Sequence, residues 1–223
     1  MTLASILQIM KEHFKSSNMK TTIAFLFLSL FIACNENPKK AQISKPDTVQ
    51  VLSKQVETNT MKSGDYSTLL VDYTCDLGIA EVAKVFNVPE SELRISDNVR
   101  KNACSFDLNG YSENEIRGST QISWGPVQTS KAQNKKEIKG FLERKEEGVS
   151  IMGMDIQLAD TGDCYLAYLP VKGRLVIYNE NYDKAFIMNY GTKNSYQRTP
   201  EKHEELRLKM TDLANYLLKK HRK

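Results

Sequence analysis

One apolar run determines how this chain can be divided. Residues 23–33 are apolar except for Ser29, and they form the only long apolar run in the 223-residue sequence. A helix that spans a bilayer needs about 20 apolar residues, whereas the core of a signal peptide needs about 7–15. The run therefore predicts a signal peptide over residues 1–33. Met19 and Lys20 supply a start and a charged region just before the run, so we expect Met19 to be the coding start.

A cysteine follows the apolar run directly, in the sequence Phe31-Ile-Ala-Cys34. This segment resembles the lipobox of bacterial lipoprotein precursors of the Bacteroidetes type, although Phe31 stands where the pattern favours leucine. The resemblance implies cleavage before Cys34 and acylation of that residue. The chain would then be held at a membrane of the cell envelope, with its domain in the periplasm or at the cell surface. The alternative is an ordinary exported protein in which the cysteine is a coincidence.

The segment after the cysteine is polar. Residues 35–63 contain no aromatic side chain and are interrupted by Pro38 and Pro46. Such a segment cannot bury enough apolar surface to offset the chain entropy lost on folding. We therefore expect residues 34–63 to be a lipidated, disordered tether with a mean reach of roughly 30 Å.

The charge of the chain argues against nucleic acid as a partner. Without residues 1–34, which carry three lysines and one glutamate, 28 basic and 26 acidic residues remain of the total of 31 and 27. Nucleic-acid-binding domains usually carry a strong basic excess or a basic stripe. The short runs at 135–136 and 219–223 are therefore interpreted as solvated helix faces or tails.

Residues 64–223 are long enough to form one domain with a real core. Apolar spacing and turn residues predict three helices and two groups of strands. The helices are expected at 77–86, 130–147 and from Pro200 onward, and the strands at 103–108, 116–124, 151–158, 164–169, 174–179 and 185–190. The order α-ββ-α-β(3-4)-α predicts an α+β fold in which helices pack on an antiparallel sheet as a two-layer sandwich.

Three short stretches carry a second resemblance: Cys75-Asp-Leu77, Glu81-Val-Ala83 and Cys104-Ser-Phe106. They resemble small exported lipoproteins of unknown function that have a PsbP-like fold, in which one cysteine begins a helix and another begins the next strand. The resemblance implies a binding or scaffold role and supplies no catalytic residues.

The cysteines of the domain predict a disulfide between Cys75 and Cys104. Export favours disulfides, and this pair would tie the first helix to the sheet on which it packs. Cys164 lies among apolar neighbours and is interpreted as a small buried side chain. A pairing with Cys164, or no bridge at all, stays open.

Patterns with possible chemistry are few. His203 would have to serve any serine–histidine–aspartate triad, and the sequence contains no nucleophile-elbow motif. The string Asp160-Thr-Gly-Asp163 resembles the catalytic triplet of aspartic proteases but occurs once, so we interpret it as a turn. We identify no catalytic residue, metal site or cofactor. Trp124 and the six tyrosines of the C-terminal half indicate either a ligand surface or core packing; these tyrosines are Tyr165, Tyr168, Tyr178, Tyr182, Tyr190 and Tyr196.

Three functions remain. The preferred hypothesis is a non-enzymatic envelope lipoprotein that binds an envelope protein or a small ligand. The alternative from another class is an envelope hydrolase, which would need His203 beside a carboxylate and a hydroxyl. A structural component of the envelope is the third.

Overall fold

The computed structural model describes residues 63–97 and 102–223. The predicted signal peptide, Cys34 and most of the expected tether lie outside these residues. No helix in the described ranges is long and apolar enough to cross a membrane. The expected α+β class is confirmed: within the described ranges, four helices pack on one antiparallel sheet of seven strands.

The helices are α1 (Ser67–Leu70), α2 (Ile79–Phe86), α3 (Lys131–Glu146) and α4 (Pro200–His221). The strands are β1 (Leu93–Ile95), β2 (Cys104–Leu108), β3 (Thr120–Gln128), β4 (Asp155–Leu158), β5 (Tyr165–Leu169), β6 (Arg174–Tyr178) and β7 (Lys184–Asn189). Their order across the sheet is β1-β2-β3-β7-β6-β5-β4. Two meanders therefore meet where β3 pairs with β7.

Local signals set the helix ends much as the sequence predicts. The Ser130 hydroxyl accepts a hydrogen bond from the Gln133 amide at the start of α3. At the start of α4, the Thr199 hydroxyl accepts one from the Lys202 amide, and Pro200 is the first residue of the helix. Side chains of this type satisfy backbone donors that the first turn of a helix leaves free. After Phe86, Asn87 adopts a left-handed backbone conformation with φ of 50°, which ends α2.

The main core lies on one face of the sheet, under α1, α2 and α4. Alternate residues of each central strand contribute to it, for example Phe106 and Leu108 from β2 and Phe186 and Met188 from β7. Leu206, Met210, Leu213 and Leu217 form the buried stripe of α4.

The expected two-layer order is not confirmed, because α3 packs on the opposite face of the sheet. Its Ile138 and Phe141 form a separate cluster with Ile156 and Ala167. In β5, Tyr165, Ala167 and Leu169 face α3, whereas Leu166 and Tyr168 face the main core. Both faces of this part of the sheet are therefore covered.

Two strands begin later than the sequence predicts. Ile116 was expected in a strand but is 96% exposed, because the Asn114 side chain accepts hydrogen bonds from the amides of Ile116 and Arg117 and forms a turn. β4 begins at Asp155 because Met152 and Gly153 both have positive φ. The short strand β1 was not expected.

The first described residues are tied to the end of α4. Asp65 and Lys223 exchange two backbone hydrogen bonds of 3.1 and 3.0 Å. The Gly64 amide donates to Asp163 at 2.7 Å, and the Tyr66 hydroxyl donates to the same carboxylate at 2.5 Å. The first described residues therefore lie beside the end of the last helix.

Candidate functional site

A broad concavity lies on the face of the sheet that carries α3. That helix packs against β4, β5 and β7. Beside it, a cleft of about 1170 Å³ opens over β2, β3, β7 and the start of β6. Asp97 and Asn102 border it on one side and Tyr196 on the other. A volume of this order is comparable to that of small-molecule sites in proteins.

Strand register places four polar side chains in one row along the cleft. Ser105 pairs with Ser123, Ser123 pairs with Asn189, and Asn189 pairs with Arg174. All four line the cleft. Because adjacent strands lie about 4.8 Å apart, the row extends for about 14 Å. We call these four residues the polar row.

The polar row presents mainly hydrogen-bond donors. The Arg174 Nε donates to Asn189 Oδ1 at 2.9 Å, which leaves the Asn189 amide nitrogen free to donate elsewhere. Among the described residues no carboxylate lies within 4 Å of the Arg174 guanidinium, and no side-chain hydrogen bond uses the Ser123 hydroxyl. The buried Ser105 hydroxyl likewise has no partner in this part of the chain. An unsatisfied buried polar group costs about 1–3 kcal/mol, so a ligand that pairs it gains that energy.

An apolar floor adjoins the polar row. It consists of Gly125, Val127 and Ile187, which line the cleft on the next positions of β3 and β7. Gly125 keeps this region narrow: a Cβ there would lie 2.8 Å from the Asn102 carbonyl oxygen and 3.1 Å from the Ala103 side chain. The glycine thus allows the segment before β2 to approach the floor closely.

The charged groups that line the cleft are Asp97, Arg174 and Lys184, two cations and one anion. Lys184 already donates to the Val71 carbonyl at 2.8 Å. At the adjacent position of the sheet, Asp107 is paired with Arg94 at 3.0 Å. Arg174 is therefore the cation of the cleft that is available to a ligand.

Rigid packing supports the strands beneath the cleft. Cys75 and Cys104 lie at disulfide distance, with 5.0 Å between their Cα atoms, as expected from the sequence. Trp124 is buried on the core side, where its Nε1 donates to the Tyr73 hydroxyl at 2.8 Å. Burial raises the pKa of Tyr73, which keeps this hydroxyl neutral.

The aromatic residues singled out in the sequence mostly serve packing. Tyr168 and Tyr190 belong to the main core, and Tyr165 and Tyr178 pack around α3. Tyr182 packs against the main core and donates to Asp65. Tyr196 borders the cleft but is 6% exposed, with the Arg198 guanidinium 4.5 Å from its ring centre.

Cys164 is free and buried, as expected. The Asn179 amide lies 3.4 Å from its sulfur, and burial raises the pKa of its thiol to about 12. The Cys164 side chain is therefore a thiol at neutral pH, whereas a cysteine nucleophile must be a thiolate.

His203 is held by structural contacts. Its Nε2 lies 3.2 Å from the Pro170 carbonyl oxygen and its Nδ1 lies 3.3 Å from the Arg198 guanidinium. Burial lowers the pKa of His203. A neutral ring that donates to Pro170 and accepts from Arg198 satisfies both contacts. Both ring nitrogens are thus occupied, and neither contact is with the carboxylate or hydroxyl that a hydrolytic triad requires.

The segment around Asp160 and Asp163 forms a turn between β4 and β5, as expected, and its two carboxylates have different partners. Asp160 pairs with Lys219 at 2.6 Å, whereas Asp163 accepts from Tyr66 and Gly64. Although burial alone would raise it, these hydrogen bonds hold the pKa of Asp163 below its usual value. Because the two carboxylates have separate structural partners, they are not placed to share a proton.

The basic residues at the end of α4 have acidic partners within the domain. Lys220 lies 3.0 Å from Glu81 and 3.2 Å from Asp76, and Arg222 lies 3.4 Å from Asp163. Together with the Lys219–Asp160 pair, these pairs engage three of the four lysine and arginine side chains in the run from 219 to 223.

Arg198 is a structural residue that the sequence did not reveal. It is 3% exposed, and its guanidinium donates to the carbonyls of Tyr111, Gly191 and Tyr190 and to the Thr120 hydroxyl. Burial lowers its pKa to about 10. Arg198 therefore connects β3, the end of β7 and the approach to α4 beside the cleft.

The polar row was not predicted either, although a signal for it exists. In β2 and β3, Ser105, Asp107, Gln121 and Ser123 alternate with buried apolar residues. This alternation is typical of a sheet with one uncovered face.

Within the described ranges, no group of three or more histidine, cysteine, aspartate or glutamate side chains is placed to hold a metal ion. Comparisons of the chain with protein-family models, with curated proteins and with solved structures found no match.

Proposed function

We propose that this chain is a lipoprotein of the bacterial cell envelope, anchored through acylated Cys34, whose domain is a non-enzymatic binding module. The signal-peptide-like run and the lipobox-like sequence support the anchor. The resemblance to exported PsbP-like lipoproteins supports a binding role. The cleft over β2, β3, β7 and β6 is the proposed binding site, and the ligand enters it from the solvent.

The donors of the polar row are the observation that carries this proposal. A purely structural sheet face is satisfied by its own contacts, as the Arg94–Asp107 pair is. The polar row instead has donor groups without protein partners in the described part of the chain, among them the buried hydroxyl of Ser105. The buried hydroxyl is maintained at a cost unless a ligand pairs it, and the accessible donors of Ser123, Asn189 and Arg174 extend the row from it.

Filling the cleft tests whether it is the binding site. Ser123→Trp places a large side chain in the middle of the polar row, and Ser91→Trp puts the same side chain on an exposed turn elsewhere. A library of small polar and amphiphilic molecules is screened for an increase in the melting temperature, followed by calorimetric titration of the hits. We expect at least one class of ligand to stabilise the wild type and Ser91→Trp but not Ser123→Trp. Equal stabilisation of both variants, or no ligand at all, would contradict the proposal.

The anchor is tested separately by Cys34→Ala. Fractionation of cells should find the wild type with membranes and the variant either soluble or unprocessed. Mass spectrometry of the wild type should find acyl chains on residue 34. A variant that still partitions with membranes at an unchanged precursor size would refute lipid anchoring, without affecting the proposal for the cleft.

A further inference from the structure

The geometry points to a class of ligand for the cleft: a small organic monocarboxylate with an apolar body. This inference rests on the proposed function, because it requires that the cleft be a binding site. It assigns the carboxylate to the polar row and the apolar body to the floor of Gly125, Val127 and Ile187.

The Arg174 end of the polar row is suited to a carboxylate. The guanidinium has both terminal nitrogens available, since only its Nε is used by Asn189. Because Asn189 accepts from Arg174 through its oxygen, its NH₂ group is left to donate beside the guanidinium. The Ser123 hydroxyl is the next group along the row. A carboxylate carries only acceptors and is the partner whose geometry a guanidinium matches with two hydrogen bonds.

The charge of the cleft favours a monoanion over a phosphate. Its lining contains two cations and one anion, and the ammonium of Lys184 is engaged by a backbone carbonyl. A phosphate monoester carries a charge of about −1.5 to −2 at neutral pH. One free guanidinium balances a carboxylate, whereas it would leave part of the charge of a phosphate unbalanced.

The apolar floor of the cleft indicates the chemistry of the rest of the ligand. Ile187 and Gly125 adjoin the polar row, and Val127 follows Gly125 on the same face of β3. Ile187 and Val127 are partly exposed, and Gly125 has no side chain to occupy the space. Burying apolar area there contributes about 25 cal/mol per Å². A ligand without an apolar part would leave this surface in water. The cleft also favours a small molecule over a protein surface, because Ser105 is 5% exposed and lies too deep for a flat partner to reach.

The test uses four probes: hexanoate, hexanamide, acetate and inorganic phosphate. Each probe is titrated into the isotopically labelled protein, and the chemical shifts of the backbone amides are followed by NMR. Arg174→Gln removes the proposed carboxylate partner, and Arg174→Lys keeps the charge without the planar fork. Lys84→Gln is the matched control, since it removes one positive charge from an exposed position on α2, on the other side of the sheet.

We expect hexanoate to shift the amides of β2, β3 and β7 and to bind at least about tenfold more tightly than hexanamide, as charged hydrogen bonds imply. Acetate should bind more weakly than hexanoate, and phosphate should not compete. Arg174→Gln should lower hexanoate affinity to the level of hexanamide, Arg174→Lys should give an intermediate affinity, and Lys84→Gln should leave it unchanged.

Other outcomes separate the two proposals. Equal binding of hexanoate and hexanamide in the cleft, or preferred binding of phosphate, would overturn the carboxylate assignment while the cleft remained a binding site. The same holds if none of the four probes shifts the cleft but a library hit of other chemistry does. If neither the probes nor the library bind there, both the ligand class and the proposed function are wrong.

Discussion

Loss of the link between Cys75 and Cys104 should lower the free energy of unfolding by about 3–4 kcal/mol. The two residues are 29 positions apart, and closing a loop of that length restricts the unfolded chain by roughly this amount. Cys75 is exposed, so Cys75→Ser removes the cross-link without opening a cavity. Cys104 remains in place against the Tyr73 hydroxyl, 3.2 Å from its sulfur. The predicted loss therefore reports the cross-link itself.

Urea denaturation of the wild type and Cys75→Ser, each with and without a reductant, measures the effect. The reductant should destabilise the wild type to the level of the variant and leave the variant unchanged. That comparison is an internal control for effects of the serine. A difference below about 1 kcal/mol between oxidised wild type and variant would refute the reasoning, because it would be close to the roughly 0.5 kcal/mol that an ordinary surface substitution can cause.

Three further predictions concern stability. Gly173→Ala should destabilise the domain by more than about 2 kcal/mol in chemical denaturation, because φ is +57° and the new Cβ would lie 2.0 Å from the Gly191 carbonyl oxygen; wild-type stability would contradict this. Arg198→Ala should cost at least about 3 kcal/mol in the same assay, since it removes the donors of three carbonyls and each buried acceptor left unpaired costs about 1–3 kcal/mol; a cost below about 1 kcal/mol would show that those carbonyls find other partners. Since the folded-state pKa of Asp163 is lowered, this residue contributes to the free energy of unfolding above its unfolded-state pKa. That contribution is lost as the pH falls through the folded-state pKa. Asp163→Asn should therefore flatten the acid limb of stability measured between about pH 2 and 5, and an unchanged acid limb would refute that role.

The elements of the fold were predictable where local chemistry specifies them. Ser130 and Thr199 cap helices through their own side chains, and the apolar stripe of α4 is visible in the sequence. Strand ends were less predictable where polar side chains form turns, as Asn114 does ahead of β3. The same limit explains why the strand expected from the sequence includes Ile116.

The side of the sheet on which α3 packs depends on information that is spread along the chain. α3 itself has few apolar residues, which indicated only a surface helix. β5 carries apolar residues at consecutive positions, with Leu166 facing the main core and Ala167 facing α3. Consecutive apolar positions are typical of a strand that is buried on both faces, so β5 contained the signal that α3 lacked.

The candidate site was not predictable because no single segment contains it. Ser105 and Ser123 belong to the first meander, whereas Asn189 and Arg174 belong to the second. Only the pairing of β3 with β7 makes them neighbours. Residue type alone could not distinguish these side chains from ordinary surface residues. Arg198 shows the converse, since an arginine that composition would place at the surface is almost fully buried.

The backbone pairing of Asp65 with Lys223 has a mechanical consequence. Within the described residues, tension applied at Ser63 reaches the rest of the domain through Gly64 and Asp65. The load passes first to the end of α4 and to the carboxylate of Asp163, and the strands that form the cleft lie outside that path. A pull strong enough to peel away the entry segment would break these few hydrogen bonds in turn, while the sheet kept its shape and the polar row its spacing.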